Sequence, residues 1–445
     1  MYEIRDPIHK TIAFSNREKG IVDHPFVQRL RYVRQLGFSY LVYPGSTHDR
    51  FSHAIGAMHV AGLVWTRILE TSRDQLAKYF SADDIAYFGR ILRVAGLLHD
   101  VGHPPFSHVS EKFMPKVKAL GLPPLWMPSL DPERRAAHED YSIALIAALC
   151  GESGAAIAAV EAQDIASLIH HGVIPSAEWQ RRFGDKEGGT GGIHRLLQSL
   201  ISGELDCDRM DYLLRDAYFT GVAYGTHDID HIVSNLGLTE QPGVGLTLTI
   251  DSTAVRAFED FLLSRYHMFL QVYMHKTTSG FDLCLAQALA AGEFTLDVPG
   301  KAEDYADLRD STLLERAFAA ARQPANRWSQ RLTRRIPLKM LFSSQNAKEE
   351  DRAIMNKLAD ALSTNGITFF QVHSHQYLSR LLSRPAGGSS ASALLARRKL
   401  FGKFVYEPIE SYSSLLNKYN EIIDLTYLYV VPEDAAKALA VVEQL

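Results

Sequence analysis

The sequence predicts a mainly α chain, a mostly α body followed by a small C-terminal α+β lobe. Three observations predict it. Helical patterns fill most of the first two thirds, a β-branched and aromatic run stands at Ile422–Val431, and Gly387-Gly388-Ser389-Ser390 forms a glycine–serine link between them. At 445 residues the chain exceeds one ordinary core, so about two or three packed units are expected. The expected division is a body over 1–290, with its centre at about 45–220, and a helical and α+β lobe over 291–445.

The elements follow in order. Arg50-Phe51-Ser52-His53 opens a helix whose Ile55, Met58 and Ile68 can face a core, and Gly56 and Ala57 allow another helix close to His53. Ile85 to Leu98 is apolar on nearly every side and reads as a buried helix. It runs into His99-Asp100-Val101-Gly102-His103-Pro104-Pro105-Phe106-Ser107-His108, where Gly102 stops the helix and the prolines stiffen a turn presenting His103 and His108. Asp131-Pro132-Glu133 carries the signals of a helix start, and that helix is expected to bear His138 and Glu139 and to run towards Cys150. Gly184 to Gly192 is a flexible loop. In the helix after Leu205-Asp206-Cys207, Asp208, Tyr212 and Asp216 follow at i, i+4 and i+8 and share a face. Gly243 to Asp251 alternates as a strand or hairpin, and Thr253 to Ala290 is one long helical pattern with Arg265, Phe269, Tyr273 and Lys276 along a side. Pro432-Glu433-Asp434 begins a last helix. No internal repeat is evident.

Composition narrows the function classes. A hydrophobic share of 46% with 22% charged residues is that of a globular protein. The net charge of −4 gives no general electrostatic reason to bind nucleic acid, so single-stranded nucleic acid is not the favoured partner. Three scattered cysteines suggest reduced thiols, and no apolar signal or membrane-length segment is present; a cytoplasmic enzyme without a membrane partner is expected.

An imidazole and a carboxylate at the end of a buried helix are costly unless paired, and a divalent metal would offset that cost. His53, His99, Asp100 and Asp208 make a mixed nitrogen and oxygen set suited to a six-coordinate ion with positions open to water and substrate. A hydrolytic site is expected. His170-His171 and His231 carry no usable spacing.

The order H, then HD, then D resembles the HD-domain metal phosphohydrolases. Pro25-Phe26-Val27-Gln28-Arg29-Leu30-Arg31-Tyr32, Gln35-Leu36-Gly37 and Tyr273-Met274-His275-Lys276 further resemble the deoxynucleoside-triphosphate triphosphohydrolase branch. The resemblance covers about residues 1–290 and implies an HD-domain helical bundle. It implies a metal on His53, His99, Asp100 and Asp208 (Mn, Mg, Fe, Ni or Zn), with His103, His108, Glu111 and His138 as catalytic groups. A degenerate domain that binds no metal, and a satisfied core histidine at 138, are the plain alternatives. Arg50, Arg209 and Arg265 fall at positions of phosphate-binding cations, with surface ion pairs as their plain alternative. Gln35 and Asp216 would bond the 3′-hydroxyl, Tyr212 joins the substrate wall, and Leu36 and Tyr273 would leave little room for a 2′-hydroxyl. Compared with animal members, Glu111 replaces a shorter acid, Arg209 a lysine and Phe269 a base-side histidine, so base preference does not transfer.

Asp23, Gln28 and Arg31 match positions that recognise an activating nucleotide in animal members, although Tyr2 replaces a phosphate-contacting lysine there. The alternative is that Arg29, Arg31 and Arg34 form a solvated helix face. The resemblance implies a homo-oligomer, dimer or tetramer, acting on deoxynucleoside triphosphates. Another HD phosphohydrolase (a nucleotidase, cyclic-nucleotide phosphodiesterase or nuclease) and a nucleotide-sensing binding protein remain open at this point.

Overall fold

A computed structural model describes residues 1–151, 157–184, 191–345, 349–377, 394–413, 415–416 and 422–445. Most of the expected Gly184–Gly192 loop and the whole Gly387–Ser390 link lie outside the described residues. The chain is mainly α with small sheets, as the sequence predicts.

The chain opens with a hairpin, β1 (Tyr2–Asp6) and β2 (Lys10–Phe14), and two short helices, α1 (Asn16–Val22) and α2 (Pro25–Gln28). Its centre is α3 (Arg50–Ala77), α4 (Ala82–Leu98) and, later in the chain, the helix Cys207–Thr220. Asp49 starts α3 by accepting the Ser52 N–H at 2.8 Å, and Ser81 with Asp84 starts α4 through reciprocal bonds. Small residues then set how closely these helices pack. A Cβ on Gly56 would lie 1.9 Å from Asp211 Oδ1, and one on Gly96 would lie 3.1 Å from the Ala57 carbonyl. Only glycine lets the three helices bring their polar residues to one point.

After α4 come a one-turn helix α5 (His108–Glu111) and α6 (His138–Gly151). The helix expected from Asp131 begins only at His138, because residues 132–136 are taken up by ladder-like bonds to 115–118. Val117 N donates to Arg134 O, Lys118 N to Pro132 O, and Ala136 N to Pro115 O. Tertiary pairing overrides the local start signal. Next follow α7 (Ala159–Ile169), α8 (Ala177–Phe183), α9 (Gly191–Ser202), α10 (Cys207–Thr220) and α11 (Ile229–Ser234).

Residues 236–251 form the hairpin of β3 (Leu236–Gln241) and β4 (Gly245–Asp251). The long pattern from Thr253 to Ala290 is broken: α12 (Val255–Met268) widens into a π-helical turn at Phe269–Tyr273, and α13 (Lys276–Ala290) restarts with His275 as its cap. Such a turn re-aims the side chains around it, here Tyr273.

Beyond α13 lie α14 (Ala302–Tyr305), α15 (Asp310–Ala320) and α16 (Arg327–Thr333). The terminal lobe contains β5 (Lys339–Gln345), α17 (Glu349–Thr364) and β6 (Phe369–Tyr377), then β9 (Ile422–Val430) and α18 (Ala435–Val442). β9 lies between β5 and β6, antiparallel to both. Its alternation divides the faces: Ile423, Leu425, Tyr427 and Tyr429 pack on one side, and Leu428 and Val430 on the other with α17 and α18 residues. The Tyr427 and Tyr429 hydroxyls reach the carbonyls of Met274 and Lys276 at 2.8 and 2.6 Å. Between β6 and β9, β7 (Leu394–Leu400) and β8 (Lys403–Pro408) return to the body, where β7 pairs parallel with β4. No helix among the described residues is long and apolar enough to cross a membrane.

Gly102 gives a test of this packing. A Cβ there would stand 2.2 Å from the His138 carbonyl oxygen and 2.3 Å from the Ser142 nitrogen. Gly102→Ala is expected to push the turn off α6 and lower stability by about 1–3 kcal/mol, read as a urea midpoint against the parent chain.

Candidate metal centre and adjoining cavity

α3 supplies His53, the end of α4 supplies His99 and Asp100, and the first turn of α10 supplies Asp208. His53 Nδ1 faces Asp211 Oδ2 at 2.8 Å, and His99 Nδ1 faces the Gly96 carbonyl at 2.8 Å. Both partners can only accept, so both rings carry a proton on Nδ1. Their Nε2 lone pairs then face one another at 3.3 Å. Asp208 Oδ1 lies 3.0 and 3.4 Å from those two nitrogens, and Asp100 oxygens stand 3.8 Å from His53 and 3.6 Å from His99.

Lone pairs and carboxylates do not converge in a buried place without a cation to hold them. Burial opposes charge on His53, yet with no ion bound the hydrogen bonds to Asp208 and Asp211 outweigh it and raise the ring to about 10, so a proton on Nε2 stands where a bound cation would take the lone pair. Burial raises the Asp208 carboxyl, but the His99 and His53 rings outweigh it and hold it low. The residues therefore fit a divalent ion, and His53, His99 and Asp100 already offer ligand atoms within 4.8 Å of one another.

The turn after Asp100 is held from outside. Arg29, fully buried, donates to the carbonyls of Val101 at 3.0 Å, His103 at 2.6 Å and Leu308 at 2.8 Å. The Tyr305 hydroxyl takes the Gly102 carbonyl at 2.6 Å, and its ring centroid lies 4.6 Å from the Arg29 guanidinium. Ser142 Oγ accepts the Gly102 N–H at 3.0 Å and donates to the His99 carbonyl at 2.8 Å. Phe106 and Ser107 adopt positive φ of 55° and 54°, a conformation costing L residues about 1–2 kcal/mol each. Asp310 holds that strained pair in place: Oδ1 accepts the Phe106 N–H and Oδ2 the Arg34 N–H, both at 2.9 Å. Ser107 Oγ thereby meets Arg50 Nη2 at 2.8 Å while Arg50 Nη1 pairs with Asp100.

A cavity of about 370 Å³ opens beside the ligands, walled by Gln35, Leu36, Arg50, Asp100, His103, His108, His138, Asp208, Tyr212, Asp216 and Tyr273. His103 Nε2 lies 3.2 Å from Asp100 Oδ1, and its ring stacks on His138 at 3.8 Å. Burial and the Arg50 charge hold His103 neutral. Glu111 bridges His108 Nδ1 at 3.2 Å and His138 Nδ1, and these hydrogen bonds keep it ionised despite burial. The three form a second group of potential metal-ligating atoms. His108 alone among these histidines is exposed.

Asp216 is already engaged, by His48 Nε2 at 2.7 Å and the Tyr273 hydroxyl at 2.8 Å. Gln35 Oε1 is buried and unpartnered. Arg209 and Arg265 are buried but absent from the cavity wall. Arg209 bonds the Glu204 carbonyl at 3.3 Å and lies 3.4 Å from Asp206, and Arg265 lies 5.4 Å from the Phe269 ring.

Of the N-terminal trio, Arg31 Nε donates to Gln28 Oε1 at 2.8 Å and stacks over Phe51, while Asp23 pairs with Lys19. The arginines do not form one solvated face, since Arg29 is a core anchor. Asp211 and His48 are structural partners that sequence reasoning left without roles. Asp211 could have been found from the Asp206, Asp208, Asp211 spacing; Arg29, Tyr305 and Asp310 had no local signal.

Residues 50–216 match the HD domain family. An uncharacterized protein of Methanocaldococcus jannaschii is 30% identical over 318 residues, 71% of this chain and 54% of its own. The deoxynucleoside triphosphate triphosphohydrolase SAMHD1 of Bos taurus is 25% identical over 380 residues, 80% of this chain and 57% of its own. The chain thus spans a little over half the length of these curated relatives. The crystal structure of a hypothetical protein from Aquifex aeolicus superposes with a TM-score of 0.71 at 24% identity, over 99% of both chains, and shares the fold.

Two outcomes are expected. Adding a divalent ion to metal-stripped chain should raise the melting temperature, by the equivalent of about 2.7 kcal/mol at a hundred times Kd; Asp208→Ala should abolish the rise, measured by scanning calorimetry. Asp310→Ala orphans two buried N–H groups and should lower stability by about 2–4 kcal/mol, whereas Asp310→Asn, retaining one acceptor, should lose less in the same urea titration.

Proposed function

This chain belongs to the HD-domain phosphohydrolases, dNTPase-like branch, and from that premise we propose that it cuts deoxynucleoside triphosphates at the α-phosphorus, releasing deoxynucleoside and inorganic triphosphate. One observation carries the reading. The same cavity wall that bears Asp100 and Asp208 also bears Gln35, Asp216 and Tyr273, polar groups spaced along a wall that Leu36 closes. This adjacency supports reading the cavity as a phosphate-processing centre beside a place for a sugar.

The 3′-hydroxyl donates to Asp216, whose orientation His48 and Tyr273 fix, and accepts from the Gln35 amide N–H. Leu36 and the Tyr273 ring exclude a 2′-hydroxyl by leaving it neither space nor partner. Arg50 neutralises the α-phosphate from its seat on Ser107 and Asp100. Arg209 and Arg265 take the outer phosphates, which requires Arg209 to exchange its Glu204 and Asp206 contacts for the ligand. A divalent ion on His53, His99, Asp100 and Asp208, when bound, supplies Lewis acidity and activates water.

His103 is kept neutral and orients Asp100. His108, open to the cavity, gives its proton to the leaving 5′-oxygen; Glu111 stabilises the charged ring and His138 holds Glu111. Water oxygen ends on the α-phosphorus and the 5′-oxygen leaves protonated. Gln28 and Arg31, with Asp23 released from Lys19, form the contact for an activating nucleotide, within a dimer or tetramer.

Reaction in ¹⁸O-water should label triphosphate and leave the nucleoside unlabelled, read by mass spectrometry. Asp100→Ala should cut turnover by at least about a hundredfold, and Glu111→Gln by at least about tenfold. Release of orthophosphate with a diphosphate nucleotide, or no hydrolysis of any deoxynucleotide, overturns the reading.

A further inference from the structure

Cations and ligands in this cavity are matched to phosphates, and Gln35, Asp216 and Tyr273 to a sugar. Apart from Ser39, whose hydroxyl is paired with Ser46, two polar groups of the wall remain unassigned: Thr278 and Asp282, one turn apart on α13. Thr278 is 5% exposed, and its hydroxyl is buried with no hydrogen-bond partner. No described residue donates to the Asp282 carboxylate, which burial pushes up to about 7 against the pull of Lys112. A buried hydroxyl without a partner is costly, and a carboxylate without a donor beside it marks the same stretch of wall as waiting for a polar ligand. Apolar groups lie on the same wall: Phe106, Val109, Val272 and the ring of Phe269, a flat surface against which a base can stack.

Resting on the reading above, we propose that Thr278 and Asp282 recognise the base of the bound nucleotide and select guanine. The chemistry is one of matched edges. The Watson–Crick edge of guanine presents two adjacent donors, N1–H and the N2 amino group, beside the O6 acceptor. A carboxylate offers two acceptors to the donors, and a threonine hydroxyl can give its proton to O6. Adenine and cytosine each set a ring-nitrogen acceptor beside their amino group, and thymine flanks its one donor with carbonyls. Each of these leaves an acceptor facing the carboxylate, which a desolvated site penalises.

The test is the ratio of kcat/KM for dGTP to that for dATP, measured with the 445-residue chain and Mn²⁺. The parent chain is expected to prefer dGTP. Asp282→Asn replaces one acceptor by a donor, which suits adenine, so the ratio should fall at least about tenfold. Thr278→Val, nearly isosteric, should lower it several-fold by removing the O6 donor. A melting temperature within a few degrees of the parent's separates this from misfolding. An unchanged ratio in both variants, or a parent chain without preference for dGTP, overturns the base assignment while leaving the triphosphohydrolase reading intact. Absence of hydrolysis with all four deoxynucleotides overturns that reading, and this assignment with it.

Discussion

The interaction on which the site depends is the grip of one buried guanidinium on three backbone carbonyls. Arg29 reaches from the N-terminal segment to Val101 and His103 in the turn after the ligands, and to Leu308. Burial lowers the pKa of this guanidinium from its ordinary value, but an arginine stays protonated in a protein, and three carbonyls accept its protons while Asp310 lies near as a countercharge. The turn it holds carries His103 and leads into the strained pair Phe106–Ser107, from which Arg50 is positioned. A guanidinium suits this task because its planar fork bonds carbonyls in several directions at once, whereas an ammonium would concentrate its charge at one point.

A second constraint is electrostatic. Asp211 accepts from His53, His9 and Arg215, and this saturation keeps it anionic with burial as the opposing force. It settles which nitrogen of His53 faces the centre. The same residue occupies the space that a side chain on Gly56 would need, so helix packing and ligand tautomer are set by one carboxylate.

The legible parts of the sequence were those whose signal is local. The candidate ligands His99, Asp100 and Asp208 stand out because a histidine and an acid follow an apolar helix and acids share a helix face from Asp208; the mainly α character follows from periodicity, while the bundle arrangement follows only from the motif resemblance. Signals failed where partners are distant. Asp131-Pro132-Glu133 looks like a helix start, but backbone bonds to 115–118 claim the segment. The pattern from Thr253 to Ala290 hid the widened turn at Phe269–Tyr273, since an extra residue in one turn barely disturbs an apolar stripe. Nothing near Arg29 announces Leu308 or Tyr305 as its neighbours.

The parallel pairing of Leu248–Asp251 with Leu394–Arg397 bears on the order in which the molecule assembles. These strands are far apart along the chain, so their ladder closes a long loop, which is slow to form. During synthesis β4 is complete while its neighbour has yet to be made. In that interval an unpaired strand edge is exposed, a template for pairing with other nascent chains. Arg29 waits in the same interval for Tyr305 and the Leu308 carbonyl. His53, His99, Asp100 and Asp208 are thus all made early, but the contacts that align the turn beside them are finished late, so a nascent chain acquires these side chains well before it acquires their arrangement.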